Sequence, residues 1–233
     1  LEGKFQTGAL DHTLLAGLEF GHAYTNVHKY QSNTSRYPNL LDIIDPAYGQ
    51  PRPPLTQEQR SGGESDTYSA FVQDQIAVTD RLKFIGGVRL DHYINKAGAE
   101  DEATNAVTPR IGATYELTPW ASPFVSYSQS FSPNNGTDAN GDTFDPETGK
   151  AYEAGVKFDL LDDRLSATVS YFYIDKNNVL TTDPNDSDYD IAAGKVRSKG
   201  IEVGLAGALT DNIRIMGNYT YVDAAVVEDS TLE

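Results

Sequence analysis

The sequence predicts an all-β fold, an antiparallel up-and-down transmembrane β-barrel, from two observations. Apolar residues recur at every second position over stretches of roughly ten residues, the length that a tilted strand needs to cross a bilayer. These stretches form hairpins whose internal links are short, whereas the links between hairpins are long and polar. Outer-membrane barrels show the same asymmetry, with short periplasmic turns and long extracellular loops.

The clearest hairpin lies at residues 144–173. Apolar residues alternate with polar ones from Tyr152 to Leu160 and again from Leu165 to Tyr173, and residues 161–164 form the turn between the two arms. Each arm is longer than the ordinary strand of about 5 to 6 residues. That length favours strands that span a membrane over the strands of a soluble sandwich.

The other strands follow the same pattern, which gives about ten strands in five hairpins. They are predicted at residues 1–8, 13–30, 67–78, 82–93, 106–117, 121–131, 189–209 and 213–227. Residues 31–66 are predicted to form a loop, because five prolines and the pair Gly62 and Gly63 do not suit a ladder. In residues 67–78 either Asp74 or Phe71 falls on the wrong face, which indicates a β-bulge or an aromatic ring that faces the lumen.

The alternation also assigns each side chain to lipid or to the lumen. In residues 82–90 the even-numbered positions from Phe84 onward are assigned to lipid and the odd-numbered positions to the lumen. The charged residues assigned to the lumen are Lys4, Glu19, Lys83, Arg89, Arg110, Glu116, Glu153, Lys157, Glu202 and Arg214. Aromatic residues near the long loops are expected in the outer interfacial girdle or at the mouth; they are Tyr24, Tyr30, Tyr93, Tyr127, Phe131, Tyr171, Tyr173, Tyr219 and Tyr221.

Composition excludes several classes of function. The chain has 233 residues and a formal net charge of −16, with 34 acidic against 18 basic residues, so nucleic acid would be repelled. It contains no cysteine, which excludes disulfides, thiol catalysis and cysteine-based metal sites. No apolar run approaches the roughly 18 residues of a membrane helix. The acidic residues crowd into loops, where we interpret them as solvated surface.

No motif in the sequence indicates an enzyme, a resident metal ion or a cofactor. The glycine of the segment DANGD, Gly141, stands at the fourth position of the acidic run, whereas a calcium loop needs glycine at the sixth. The four histidines lack the spacing of a metal site, and no G-x-S-x-G sequence is present. The glycines of IGGVRL and VGLAGAL lie inside predicted strands, so they do not indicate a phosphate-binding loop.

Five segments resemble the β-barrel of TonB-dependent siderophore receptors of Gram-negative outer membranes. They are HTLLAGLEF at 12–20, the long hairpin at 68–93, VTPRIGATYELTPWASPFVSYSQSFSP at 107–133, the hairpin at 144–179 and SKGIEVGLAGALTDNIRIMGNYTYVDA at 198–224. The resemblance implies a barrel of about 22 strands with a plugged lumen. Residues 1–233 would form an internal part of that barrel, without the plug domain and the C-terminal strands.

The same resemblance implies the function and the partners. Such a receptor binds a ferric siderophore from outside and imports it with energy that TonB delivers through the plug domain, and it is embedded in outer-membrane lipid and lipopolysaccharide. Siderophore pockets in the family are commonly aromatic with a few basic groups. The implied ligand-binding residues are therefore Arg36, Tyr37 and Tyr48 in the longest loop, and the wall charges are expected to contact the plug as well as each other.

Three alternatives stay open at this point. The barrel could be a passive porin, whose lumen stays open to ions. It could take up a different ligand, such as haem, cobalamin or a carbohydrate. The chain could also be a secreted soluble β protein such as an adhesin, provided that a second sheet buries the alternate apolar residues.

Overall fold

The computed structural model describes residues 1–32, 44, 48–49, 55–96, 101–134, 138, 143–183, 189–192 and 194–228. No helix among these residues is long and apolar enough to cross a membrane. The strands are β1 (Glu2–Thr7), β2 (Leu10–Ser32), β3 (Leu55–Ala77), β4 (Leu82–Asn95), β5 (Glu102–Tyr115), β6 (Ala121–Ser132), β7 (Glu147–Leu160), β8 (Leu165–Asn177), β9 (Leu180–Thr182), β10 (Asp190–Ala192), β11 (Lys195–Thr210) and β12 (Ile213–Glu228).

Ten of these strands form one antiparallel sheet in the order β1-β2-β3-β4-β5-β6-β7-β8-β11-β12. Each strand inside this order therefore pairs with the strand on either side of it, β1 and β12 pair with one strand each, and β9 and β10 form a small separate hairpin. The predicted all-β, up-and-down arrangement of five hairpins is confirmed. Each short connection lies inside a hairpin, as at Gly8, whose positive φ of 65° suits the two-residue turn between β1 and β2.

Two predicted elements are wrong. Residues 55–66 were expected in a loop, but β3 begins at Leu55 and pairs with β2 as far as Ser32. The prolines that suggested a loop all precede Leu55, and the polar residues after it lack the apolar alternation because this part of the hairpin extends beyond the bilayer. Residues 189–209 were expected as one strand, whereas β10 leaves the main sheet to pair with β9 and only β11 continues the ladder.

The register divides the sheet into two faces, because directly paired residues point to the same side. Val72 pairs with Val88 and Ala70 with Leu90, on what we call the apolar face. Arg89 and the other charged residues predicted for the lumen, where they lie within strands, occupy the opposite face, which we call the polar face. In a membrane barrel the apolar face contacts lipid and the polar face lines the lumen.

The register also settles the irregular strand β3. No shift interrupts the pairing of residues 67–77 with β2 or with β4, so the β-bulge that the sequence left open there is absent, and the shift in the β2–β3 ladder lies further out, at Lys29 and Tyr30. Phe71 pairs with Arg89 on the polar face, and its ring covers Gly17 of β2, where a Cβ atom would lie 2.5 Å from the Phe71 Cζ atom. Asp74 pairs with Gly86 on the apolar face, where its Oδ2 atom lies 2.6 Å from the Nδ1 atom of His12.

The sheet has no conventional core. Among the described residues only Ala121 and Leu165 are buried hydrophobic residues, whereas Leu18 is 87% exposed and Val107 is 60% exposed. Strands contact only their neighbours in a sheet, so no second layer covers the apolar face in the described part of the chain. The soluble alternative requires such a second layer and does not agree with the structure. Lipid is the remaining apolar phase for this face.

One interface in the sheet is incomplete. β6 pairs with β7 along all of its 12 residues, but it pairs with β5 only through the five residues 110–114 and 124–128. The pairing ends next to Pro109, which has no N–H group to donate to β6. Toward the long connections, β5 stays with β4 while β6 stays with β7, and a cleft separates the two strands.

The cleft can be tested by disulfide formation between engineered cysteines. Ile111→Cys with Tyr127→Cys places the thiols on directly paired residues, at a Cα separation of about 4.5 to 5.5 Å that a disulfide accepts. Val107→Cys with Phe131→Cys uses the positions that would face each other if the pairing continued. In the folded complete gene product, with any cysteine outside this chain replaced by serine, mild oxidation should cross-link the first pair and not the second. Equal cross-linking of both pairs would contradict the cleft.

The turn between β7 and β8 carries backbone strain. Leu161, Asp162 and Asp163 have φ values of 55°, 55° and 62°, in the left-handed region. Aspartate tolerates that region because its short polar side chain bonds locally, whereas leucine is penalised there by about 1 to 2 kcal/mol. The strain is therefore concentrated at Leu161.

Leu161→Asn should raise the free energy of unfolding by about 1 kcal/mol, because asparagine adopts the left-handed conformation more readily. The measurement is urea unfolding of the complete gene product in lipid vesicles. Leu117→Asn is the matched control, since Leu117 is an exposed turn leucine without a positive φ. A gain of similar size in the control would show that turn polarity and not backbone strain is responsible.

Candidate functional site: the polar face

A cluster on the polar face joins three strands around Arg89. The Arg89 guanidinium donates from Nη1 to Glu19 Oε2 at 2.9 Å, from Nε to Asp91 Oδ1 at 2.9 Å and from Nη2 to Ser69 Oγ at 2.8 Å. The Ser69 hydroxyl donates in turn to Asp91 Oδ1 at 2.6 Å. Glu19, Ser69 and Asp91 lie side by side in one register row, so strand pairing brings the four groups together. The cluster ties β2, β3 and β4 to each other.

Two adjoining recesses flank this cluster. The first, of about 560 Å³, includes Phe71, Gln73, Arg110 and Ser126 in its lining. The second, of about 400 Å³, lies where β5 and β6 separate and includes Thr67, Asp91, Tyr93, Thr108 and Ser130. Each volume falls in the range of small-molecule sites, about 300 to 1,000 Å³. Hydroxyl groups, an aromatic ring and charged groups of both signs are therefore available to a polar ligand or to another part of the protein.

Arg110 differs from Arg89 although both lie on the same face. Arg110 is exposed and has no hydrogen bond or ion pair with any residue that the structure describes. Its planar guanidinium can donate two parallel hydrogen bonds to a carboxylate, which accepts them in a bidentate arrangement. Lys157, further along the face, lies with its Nζ atom 5.3 Å from the centre of the Phe124 ring. Arg110 is thus a cation whose donors are available on the lumen side.

Asparagine side chains hold the connections at the mouth. Asn134 donates from Nδ2 to the carbonyl oxygens of Asp145 and Asn178, at 2.8 and 2.7 Å. Asn178 donates from its own Nδ2 to the Pro146 carbonyl oxygen at 3.0 Å. Together these bonds link the chain after β6, the chain before β7 and the chain after β8. A recess of about 290 Å³ adjoins them, and Tyr93 belongs to its lining.

The predicted ligand-binding residues are placed only in part. Arg36 and Tyr37 lie outside the described residues, and Tyr48 is described as a turn residue that is 80% exposed. Their role in binding stays a prediction. Of the two positions that the sequence allowed for Tyr93, the register selects the mouth, because Tyr93 pairs with Thr67 and Thr104 on the polar face. Among the described residues no group of three His, Cys, Asp or Glu side chains could hold a metal ion.

The Arg89 cluster is the feature that sequence reasoning missed. Alternation placed Glu19 and Arg89 on the lumen side, but it could not show that they meet, because β3 lies between β2 and β4 in the sheet. The missing information is the register of two successive strand pairs. The sequence held an indirect signal. Ser69 and Asp91 lie at similar distances from the short turn of their hairpin, so hairpin pairing places them side by side, and Glu19 lies at a similar distance from the short turn of the preceding hairpin.

The sheet has long antiparallel strands that are joined alternately by short turns and long connections, and it is apolar on one face and polar on the other. These features define a section of the wall of a transmembrane β-barrel. The chain belongs to the family described as "TonB dependent receptor-like, beta-barrel", whose family model matches residues 1–232. The chain is therefore part of a barrel in the outer membrane of a Gram-negative bacterium, in a family of transport receptors that are not enzymes.

Individual relatives agree with this assignment. The chain is 40% identical over 244 residues to the metal-pseudopaline receptor CntO of Pseudomonas aeruginosa. The alignment covers 100% of the chain and 34% of CntO. It is 31% identical over 248 residues to the ferrichrome outer membrane transporter/phage receptor of Escherichia coli K12, with 99% of the chain and 32% of the transporter covered. The chain spans about a third of the length of the curated relatives it matches.

Solved structures confirm the fold. The ferric preacinetobactin receptor BauA of Acinetobacter baumannii superimposes with a TM-score of 0.80 at 23% identity, over 97% of this chain and 36% of BauA. At that identity the match concerns the architecture of the wall alone. The antiparallel order of the ten strands is therefore that of a TonB-dependent receptor barrel.

Removing the Arg89 guanidinium should destabilise the wall. Arg89→Gln leaves the carboxylates of Glu19 and Asp91 close together without their shared cation, and we expect a loss of about 1 to 2 kcal/mol in the free energy of unfolding. The matched control is Arg110→Gln, which removes the same charge from the same face and should change stability by less than about 0.5 kcal/mol. Urea titration of the complete gene product in vesicles measures both. Equal losses would show that the pairing at Arg89 contributes nothing specific.

Proposed function

We propose that this chain supplies part of the barrel wall and extracellular loops of a receptor that takes up a ferric siderophore across the outer membrane with energy supplied through TonB. The observation that carries the proposal is the match along the whole chain to receptors named for such ligands, including ferrichrome and, at 28% identity, ferrioxamine B. A polar face with recesses next to the mouth suits the passage of a hydrophilic ligand.

A second candidate ligand is a metal complex of pseudopaline. The relative named for that ligand is 40% identical to this chain, whereas the ferrichrome transporter is 31% identical over a similar length. Both candidates are metal ions bound by an organic chelator, so in this proposal the metal is cargo and not a resident cofactor.

The partners follow from the same proposal. TonB would act through a plug domain, and the apolar face would contact outer-membrane lipid and lipopolysaccharide. Arg36, Tyr37 and Tyr48 are the proposed ligand-binding residues, because the family's pockets combine aromatic groups with a few basic ones and an arginine can donate hydrogen bonds to an anionic group of a chelate. A strongly acidic chain, with a net charge of −16, makes local basic groups of this kind the natural points of attachment.

Binding measurements on the complete gene product test the proposal. The protein is titrated with a panel of ferric siderophores and with metal-loaded pseudopaline, and calorimetry measures the heat of binding. At least one of these compounds should bind. Arg36→Ala and Tyr37→Ala should each weaken its binding about tenfold, the equivalent of 1.4 kcal/mol. Tyr189→Ala, an exposed tyrosine after a different connection, is the control and should leave the affinity unchanged.

The outcome that would overturn the proposal is a folded barrel that binds none of the metal complexes. In that case the porin alternative is decided by conductance in planar bilayers, since an open lumen passes ions steadily and a plugged lumen does not. Binding of haem, cobalamin or a carbohydrate instead would keep the receptor class and replace the ligand.

A further inference from the structure

Tyrosines on the apolar face mark the outer edge of the membrane. Tyr127, Tyr152 and Tyr173 lie in one register row across β6, β7 and β8. Their ring centres are 5.0 Å apart for the first pair and 6.3 Å apart for the second. Tyr221 continues the aromatic surface on β12, next to Ile201 of β11. Aromatic side chains of this kind sit at the level of the lipid head groups.

Charged side chains follow immediately beyond these tyrosines, and they lie on the same face. Lys150, Asp175 and Arg197 form the next outward-facing register row, one step toward the long connections. Lys195 lies further out on β11, and Lys199 pairs with Tyr173 and with Asp223 at the edge of the aromatic row. Because all of them share a face with Tyr152 and Tyr173, they point away from the lumen and toward the surrounding lipid.

The contacts within this basic group hold the cations in place without neutralising them. Asp175 accepts from Arg197 Nε at 2.8 Å and from Lys195 Nζ at 2.9 Å. The Arg197 guanidinium also lies over the Tyr173 ring, with its Cζ atom 4.9 Å from the ring centre. Lys199 Nζ is 3.3 Å from Asp223 Oδ2. Each cation keeps further N–H donors for another acceptor.

The charge of the group is opposite to that of the chain. The group holds four cations, Lys150, Lys195, Arg197 and Lys199, and two carboxylates, those of Asp175 and Asp223. Glu228 is the register partner of Lys195, and when it is counted as a third carboxylate the group still has an excess of one positive charge on a chain with a net charge of −16. Lys150 is exposed and has no hydrogen bond or ion pair with any residue in the described part of the chain. The group is therefore open to an anion.

The equivalent level of β2, β3 and β4 provides a contrast. Beyond Phe20 and Tyr68, the outward-facing charges are mutually paired: His22 Nδ1 lies 2.7 Å from Asp66 Oδ1, and Lys96 Nζ lies 2.7 Å from Asp66 Oδ2 and 3.4 Å from Glu64 Oε1. The hydrogen bond to Asp66 raises the pKa of the Lys96 ammonium above its usual range, so Lys96 remains a charged partner of the two carboxylates. This group has no excess of cations.

We propose that Lys150, Lys195, Arg197 and Lys199 bind the phosphate of a lipid head group in the outer leaflet. Their height beside the tyrosines, their outward direction and their excess positive charge all match a phosphate that is anchored by acyl chains. The acyl chains would lie below it along Val169 and Val203 on the apolar face. The inference rests on the outer-membrane location of the barrel and is independent of the transported ligand.

The test uses the complete gene product in a zwitterionic detergent, with diphosphorylated lipid A as the probe and its dephosphorylated form as the reference. Loss of each cation should weaken binding of the phosphorylated probe roughly fivefold, so Lys150→Gln combined with Lys199→Gln should weaken it about 25-fold. Binding of the reference should be unchanged. Native mass spectrometry counts the bound lipids. The matched control, Lys157→Gln combined with Lys176→Gln, removes two charges from the polar face and should have no effect.

Three results would overturn the proposal. They are equal affinity for the two forms of lipid A, an equal loss in the control variant, and displacement of the lipid by millimolar inorganic phosphate, which would indicate a site for free phosphate. Retained heat-modifiable mobility shows that each variant is folded. The proposed function is distinguished in the same preparation, because the lysine variants should bind the metal chelate with unchanged affinity.

Discussion

The structure depends on one constraint: backbone N–H and C=O groups inside a bilayer must find partners within the protein, since lipid offers none. The ten-stranded ladder meets most of this constraint by pairing adjacent strands along their length, and the β5–β6 interface is where the pairing of the described residues is incomplete. When the backbone groups are hydrogen-bonded between strands, successive side chains point to opposite faces of the sheet. The residue types at alternate positions then determine what each face contacts. Leu18 and Val107 can then be largely exposed without a core, because lipid replaces the second layer that a soluble sheet would need.

Sequence patterns predicted the parts of the fold that the bilayer dictates. The alternation at residues 82–90 and 152–160 identified both the strands and their faces, because hydrocarbon on one side and polar contacts on the other leave a period of two in the sequence. That signal stops where water surrounds both sides. Residues 55–66 are polar throughout, so nothing in their composition distinguished an extended hairpin from a loop. The short strands β9 and β10, three residues each, are below the length that periodicity can detect.

The functional features required register, which sequence does not supply directly. Arg89 and Arg110 are both lumen-side arginines in the sequence, yet one is fully engaged by three groups and the other has no partner among the described residues. The difference arises because the neighbours of Arg89 across β3 are Ser69 and Glu19, whereas Arg110 pairs with Ser128 and Gly87. The sequence alone therefore does not distinguish Arg89, which links three strands, from Arg110, whose donors are available to another molecule. The register of the strands is needed to tell them apart.

The limited pairing between β5 and β6 gives the wall a mechanical character that its neighbours lack. Strands β1 to β5 form one continuous panel and strands β6 to β8 with β11 and β12 form another. In the described part of the chain, the ladder between the panels has five residue pairs near the short-turn end, next to the isolated bridge of Thr118 with Ala121. The ends of the panels near the short turns are therefore held in register, whereas sheet hydrogen bonds do not tie β5 to β6 toward the long connections. The separation of β5 and β6 toward the long connections is consequently set by side-chain contacts across the cleft, and not by the hydrogen bonds of the sheet.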